Sequence, residues 1–147
     1  MQESLNQPRL RGRVAIVTGA GGGLGRAHAL ELAHHGAKVL VNDLAGRDDG
    51  AGAKTVVDEI VRRGGTALAH LGDVTSEDEM EAMAALAVAQ WGRVDILVNN
   101  AGILCDKTFA KMPLQDFRRV LDVHVMGAAN ATKAVWERMQ AQDTAAS

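Results

Sequence analysis

Two stretches place residue types suited to binding chemistry at the ends of apolar runs. Thr18-Gly19-Ala20-Gly21-Gly22-Gly23-Leu24-Gly25 follows Val14-Ala15-Ile16-Val17 directly and leads into Arg26-Ala27-His28-Ala29-Leu30-Glu31-Leu32-Ala33, which has helical spacing. A chain leaving a buried strand turns most easily at residues without a Cβ, and bare backbone lets an anion approach its N–H groups. A helix beginning near Gly23 points its unpaired amides and positive dipole end at that anion, so the turn suits a pyrophosphate. Asp43 ends the second apolar run, Val39-Leu40-Val41-Asn42, 18 residues after Gly25. A carboxylate there is placed to take the adenosine ribose hydroxyls of a dinucleotide. A glycine-rich turn alone is a common surface loop. Strand, turn, helix, strand and acid together carry the reading.

Bulk composition removes other classes. The 147 residues are 47% apolar, enough for one domain with a core, and sixteen basic residues against eighteen acidic ones give a net charge of −2. No basic block and an aromatic share of 3% argue against a nucleic-acid surface. Cys105 is the one cysteine, which precludes an internal disulfide and fits a reducing cytoplasm; it reads as a small apolar residue rather than a nucleophile. His34 and His35 read as last-turn residues complementing a helix dipole, with no metal-ligand spacing around them. The start, Met1 to Pro8, is polar and is not a signal peptide, and no apolar run is long enough to span a membrane. The chain contains no tyrosine.

The elements that must position these residues follow from periodicity. Residues 1–12 form a lead-in, 13–18 a strand buried on both faces, and 24–35 a helix with Leu24, Ala27, Leu30 and Ala33 or His34 inward, stopped by Gly36. A strand over 37–42, a loop over 45–52, a helix over 53–63 on Val56, Val57, Ile60 and Val61, and a strand over 66–71 come next. Ser76 with Glu79 is a capping box opening a helix to about Gln90, with Met80, Met83, Leu86 and Ala87 buried. A fourth strand covers 94–98, and a helix runs from Pro113 to about Gln140, with Gly127 inside it for close packing or a break. The alternation predicts a Rossmann-type doubly wound parallel α/β sheet over 13–142, without an internal boundary.

At this point the motifs resemble those of the short-chain dehydrogenase/reductases. Thr18-Gly19 with Gly23 and Gly25 is similar to that family's glycine motif, Asp73-Val74 to its adenine-contacting pair, and Asn99-Asn100-Ala101-Gly102 to its fourth-strand motif on the nicotinamide-ribose side. The resemblance makes Thr18, Gly19, Gly21, Gly22, Gly23, Leu24, Gly25, Asp43, Leu44, Asp73, Val74, Asn100, Ala101 and Gly102 the expected cofactor contacts. The simpler account of Asp73, an acid stabilised by the next helix dipole, is the weaker because Val74 follows it in place. Val41-Asn42-Asp43-Leu44 and Gly102-Ile103-Leu104-Cys105-Asp106-Lys107-Thr108-Phe109 are similar to (3R)-hydroxyacyl-CoA dehydrogenase domains of multifunctional enzymes. That implies a secondary alcohol or ketone, such as a 3-hydroxyacyl thioester, as substrate. Asp43 would repel a 2′-phosphate, and neither Gly22 nor Leu44 is basic, so NAD is expected over NADP; Arg47 in the loop is the one nearby exception.

The resemblance also implies what these residues do not contain. Family catalysis uses a serine and a Tyr-x-x-x-Lys pair beyond the fifth strand, and the chain is expected to stop before that strand. His124 stands at the position of the family's asparagine, either as part of a proton relay or as an interior helix residue bonded to backbone. Relatives continue from the long helix into Tyr-Gly-Arg-Ile-Val-Met. Loss of one T from TAC GGC CGC ATC GTG ATG reads Thr-Ala-Ala-Ser-stop, which matches 144–147, so 143–147 are expected to be a frameshifted tail. The fourth strand would then be an open edge prone to self-association. Relatives also imply homo-oligomers joined through the long helix, so the expected partners are a dinucleotide, a small substrate and a second copy, with no nucleic acid and no membrane.

Overall fold

Val14-Ala15-Ile16-Val17 is buried along its whole length, as an interior strand of a covered parallel sheet must be. In the computed structural model, which describes residues 9–45 and 52–144, it forms β1 (Val14–Val17). The chain continues through α1 (Gly23–His34), β2 (Lys38–Asp43), α2 (Ala53–Arg62), β3 (Thr66–Leu71), α3 (Glu77–Trp91) and β4 (Ile96–Val98). A 3₁₀ turn (Phe109–Lys111) precedes α4 (Leu114–Leu121), a π-helical turn (Asp122–Met126) and α5 (Gly127–Thr144). The lead-in up to residue 8, Arg47 in its loop and the tail from residue 145 lie outside the described residues.

All four strands are parallel, in the order β3-β2-β1-β4. Val14 stands opposite Lys38, Lys38 opposite Thr66, and Ile16 opposite Leu97. After β3 the chain crosses to the far side of β1, so the order reverses between β1 and β4. A cleft at the carboxyl ends of those two strands is the topological consequence. Strand alternation divides the core: Ile16 and Leu40 pack with Met80, Met83, Ala84, Ala131 and Val135 of α3 and α5, while Val17, Val39 and Val41 pack with Ala29, Val56 and Ile60 of α1 and α2. Each such large side chain contributes about 1.5–3 kcal/mol of burial. The expected doubly wound α/β sheet is present, with β4 at its edge among the described residues.

Several local expectations are corrected. Leu24 is 74% exposed and Ala27 is exposed; Gly25 and Ala29 are the buried positions of α1. The helix axis comes so close to β1 that only the smallest residues fit the contact, and Leu24 turns outward. Val61 is exposed on α2, whose contact is made by Ala53, Val56 and Ile60. On α3 Ala84 is fully buried and Leu86 only partly. The fourth strand begins at Ile96; Asp95 just before it holds Val14 through both its carboxylate and its backbone N–H. The capping box is half formed: Ser76 Oγ accepts from the Glu79 N–H at 3.3 Å, but Glu79 Oε2 accepts from the Asp73 N–H at 2.6 Å.

The single helix expected from Pro113 to Gln140 is two helices joined by the π turn. That wide turn brings Gly127 onto Val74, where a Cβ would lie 2.6 Å from Val74 Cγ2. Close packing, and not a chain break, is therefore the reason for glycine there. Ala131 and Val135 face the core, while Phe117, Leu121, Val125 and Trp136 stay exposed.

Candidate functional site

The site is built where the ends of β1, β2, β3 and β4 converge. Thr18 is 1% exposed, and its Oγ1 accepts from the N–H groups of Asn100 (3.2 Å) and Ala101 (3.1 Å). Asn100 Nδ2 donates in return to the carbonyls of Thr18 (3.0 Å) and Gly19 (3.1 Å). These two polar side chains therefore face backbone, not open space, and fix the glycine turn to the segment after β4. Gly19 has φ +61°, and a Cβ on it would lie 2.7 Å from Ala101 Cα, so the turn requires glycine twice over. A Cβ on Gly25 would lie 2.5 Å from the Gly19 carbonyl, which is what lets α1 begin against the turn.

Asp43 is 6% exposed. Its Oδ2 accepts from the Gly21 N–H at 2.9 Å and its Oδ1 from the Leu44 N–H at 2.8 Å. A Cβ on Gly21 would lie 2.4 Å from that Oδ2, so the glycine is what allows turn and carboxylate to meet. Each carboxylate oxygen keeps further acceptor capacity. Gly22 caps α1 in extended backbone with no side-chain hydrogen bond, and a Cβ on Gly22 or Gly23 would meet nothing within 4 Å. The first amides of α1 are thus left without a side-chain acceptor, with space beside the turn.

Asp73 Oδ1 accepts from the N–H (2.9 Å) and Oγ1 (2.8 Å) of Thr75. Val74 is buried, and its carbonyl accepts from Asn130 Nδ2 at 3.0 Å. Asn99 Nδ2 donates to Thr132 Oγ1 at 3.0 Å and holds the end of β4 to α5. A cleft of about 320 Å³ runs between these segments, lined by Asp43 and Leu44 after β2, Asp73 and Val74 after β3, and Ala101 and Gly102 after β4. Sequence reading expected these six, with Gly19 and Asn100, among the contacts; Thr18 and Gly21 to Gly25, expected as well, do not line this cleft. It missed Asn42, Ile103, Arg119 and Asp122, which also line the cleft. Asn42 carries a usable signal, a polar residue inside an apolar strand; Arg119 and Asp122 carry none, because α4 and the π turn reach the cleft only through tertiary packing.

His124 lies on the π turn and is exposed, with Nε2 3.1 Å from the Ile103 N–H nitrogen and 2.9 Å from the Ile103 carbonyl oxygen. It bonds backbone, as one of the two readings expected, but it is not interior. One ring nitrogen serves one of these partners at a time, accepting when bare and donating when protonated. The ring also fills the space beside Gly102, where a Cβ would lie 2.6 Å from its Cε1. Among the described residues no cluster of His, Cys, Asp and Glu could hold a metal ion, and no helix is long and apolar enough to cross a membrane.

With this geometry in view, the family model described as short chain dehydrogenase matches residues 13–146. The chain belongs to the short-chain dehydrogenase family. It is 47% identical over 135 residues to the peroxisomal hydratase-dehydrogenase-epimerase of Saccharomyces cerevisiae, covering 88% of this chain and 15% of that protein. It is 47% identical over 148 aligned positions to the peroxisomal multifunctional enzyme type 2 of Drosophila melanogaster, covering 97% of this chain and 24% of that protein. A solved short-chain dehydrogenase, 7α-hydroxysteroid dehydrogenase complexed with NADH and 7-oxo glycochenodeoxycholic acid, superposes with a TM-score of 0.84 at 41% identity. That match covers 94% of this chain and 52% of the solved one. The chain therefore spans a minor part of the two multifunctional relatives and about half of the solved short-chain dehydrogenase.

Proposed function

We propose that these residues are the cofactor-binding part of an NAD(H)-dependent oxidoreductase that interconverts a secondary alcohol and a ketone. The observation that carries this reading is the buried Asp43 carboxylate bonded to the Gly21 amide. It places an anionic acceptor beside a bare turn and an uncapped helix start, the two surfaces that a ribose and a diphosphate need. The residues fit such a group: Gly22 and Gly23 leave open space at the helix start, and among the described residues no side chain caps the helix.

In this reading the amides over Gly22–Gly25, with Leu24 exposed beside them, take the diphosphate, while the Gly21 amide stays on Asp43. Asp43 and Leu44 take the adenosine ribose, Asp73 and Val74 the adenine, and Ala101 and Gly102 the nicotinamide ribose. Thr18, Gly19 and Asn100 act by fixing the turn. When bound, the dinucleotide supplies or accepts the hydride; the chain's residues orient it. His124 positions Ile103 at the cleft wall. NAD is preferred to NADP because a 2′-phosphate would meet Asp43. The relatives' names favour a 3-hydroxyacyl thioester or a hydroxysteroid as substrate class. A lone cysteine favours a reducing compartment, the cytoplasm in our reading, although two relatives are named peroxisomal. The exposed stripe of Phe117, Leu121, Val125 and Trp136 suits a homo-oligomer contact.

Titration of the chain with NADH and NADPH, followed by calorimetry, tests this. Tighter binding of NADH by about tenfold or more is expected; a folded chain with no affinity for either overturns the reading. A second reading, binding without turnover, is favoured by one fact: these 147 residues contain no tyrosine to act as the acid. Oxidation of a 3-hydroxyacyl-CoA by this chain alone would exclude it.

A further inference from the structure

We propose that Asn42 and His70 form a positioning pair for the loop Gly72-Asp73-Val74, and that protonating His70 loosens the loop and weakens dinucleotide binding. The inference rests on the dinucleotide reading above and adds to it a residue pair on the opposite face of β2 from the Asp43–Gly21 contact.

Asn42 is 1% exposed. Its Nδ2 lies 3.1 Å from the Gly72 carbonyl oxygen, 3.4 Å from the His70 carbonyl oxygen and 3.1 Å from His70 Nδ1. The two carbonyls can only accept, so the amide nitrogen must face them; a flipped amide would set Oδ1 against two oxygens. With Nδ2 donating, His70 Nδ1 must offer a lone pair, and the ring is the Nε2–H tautomer. Asn42 Oδ1 is buried without a hydrogen-bond partner among the described residues, so once the His70 Nδ1 bond is lost only the Nδ2 bonds to the Gly72 and His70 carbonyls hold the side chain.

The pair is coupled to the loop by contact. A Cβ on Gly72 would lie 2.5 Å from His70 Cε1, so ring and loop are in close contact. The Gly72 N–H donates to the Asp43 carbonyl at 2.9 Å, tying the same loop to the end of β2. A proton on Nδ1 turns an acceptor into a donor facing another donor at 3.1 Å, and the amide cannot answer by rotating. One carboxylate, Glu79, acts on the ring, and two others stand on the segments next to it. Glu79 of α3 favours the charged imidazolium; Asp73 in the loop is held by Thr75; Asp43 on β2 bonds Gly21 on the other face of the strand. Burial pushes His70 down and outweighs Glu79, so the change falls below the ordinary histidine range.

The dissociation constant for NADH is measured from pH 8 to pH 5 in the full chain and in His70→Asn, whose amide oxygen keeps an acceptor at the Nδ1 position but does not titrate. The wild-type constant should rise about three- to tenfold across the histidine titration, and the variant should lack that step while matching wild type within about twofold at pH 8. A step of equal size in His70→Asn overturns the proposal. So does a ring ¹⁵N spectrum showing the Nδ1–H tautomer at pH 8, a measurement that needs no variant. Absence of NADH affinity at every pH, with the Nε2–H tautomer intact, sinks the dinucleotide reading and leaves the Asn42–His70 bond standing.

Discussion

Asn100 and Thr18 hold each other's backbones: the amide of Asn100 donates to the Thr18 and Gly19 carbonyls at 3.0 and 3.1 Å, and the Thr18 hydroxyl accepts from the Asn100 and Ala101 amides at 3.2 and 3.1 Å. The glycine turn is thereby fixed to the end of β4 across 82 residues of sequence. Asn100→Ala leaves two carbonyls and a crowded turn without donors. It should cost about 1–3 kcal/mol of stability, read by chemical denaturation. It should also lower NADH affinity, because the turn that receives the diphosphate loses its brace.

Gly25→Ala tests how closely α1 approaches the turn. In a free helix this change gains about 1 kcal/mol. Here the new methyl would meet the Gly19 carbonyl at 2.5 Å and Ala20 Cα at 2.8 Å, both backbone atoms that cannot swing away. The clash should win, with a net loss of about 1–3 kcal/mol measured as a lowered melting temperature. Unchanged stability would mean that the helix start can shift.

Asp43→Ser removes the charge at the end of β2 while keeping an acceptor. Charge-assisted hydrogen bonds are worth about 1.5–3 kcal/mol, so NADH affinity should fall about tenfold or more. NADPH affinity should fall less or rise, since the repulsion of its 2′-phosphate is gone. Parallel titrations with the two cofactors read the ratio; an unchanged ratio would remove Asp43 from cofactor choice.

Asp95 makes a pH-dependent lock at the other end of the sheet. Its Oδ2 accepts from the Val14 N–H at 2.8 Å and from Arg93 Nε at 2.8 Å, its Oδ1 accepts from Arg13 at 3.1 Å, and its own N–H donates to the Val14 carbonyl at 2.8 Å. Burial pushes the carboxyl up, but the hydrogen bonds from Arg93, Val14 and Arg13 outweigh it and hold it below the usual carboxylate range. A group with a depressed folded value stabilises above its unfolded pKa of about 4, and that contribution is lost as the pH falls through the folded value. Asp95→Asn should therefore be less stable than wild type at pH 7 by about 1–3 kcal/mol, and the gap should close below about pH 4. A constant gap from pH 7 to pH 3 would show that the charge is not what Asp95 contributes.

The long helix shows where linear reading stops. Phe117, Val120, Leu121, Val125, Ala131 and Val135 have helical spacing, yet only Ala131 and Val135 are buried, and a π turn that contains Val125 separates Phe117, Val120 and Leu121 from them. Period alone cannot reveal the extra residue in a turn or say which of two apolar stripes finds a partner. Arg119 and Asp122 reach the cleft for the same reason, unannounced by their neighbours in sequence.

The amino-acid order alone determined that a parallel sheet forms, because unbroken apolar runs alternate with helical ones, and that a glycine crossover and an acid lie at strand ends. It also determined the spacing of Asp43, Asp73 and Asn100, since each sits at or just beyond the end of an apolar run. Tertiary structure decided the partners. Asp43 meets Gly21, Asn42 meets His70, and Gly127 meets Val74 because strands of 3–6 residues, packed side by side, bring distant loops to one edge. Hydrogen bonding and close packing act over a few ångströms in space, whatever the distance along the chain, so those pairings exist only once the sheet has assembled.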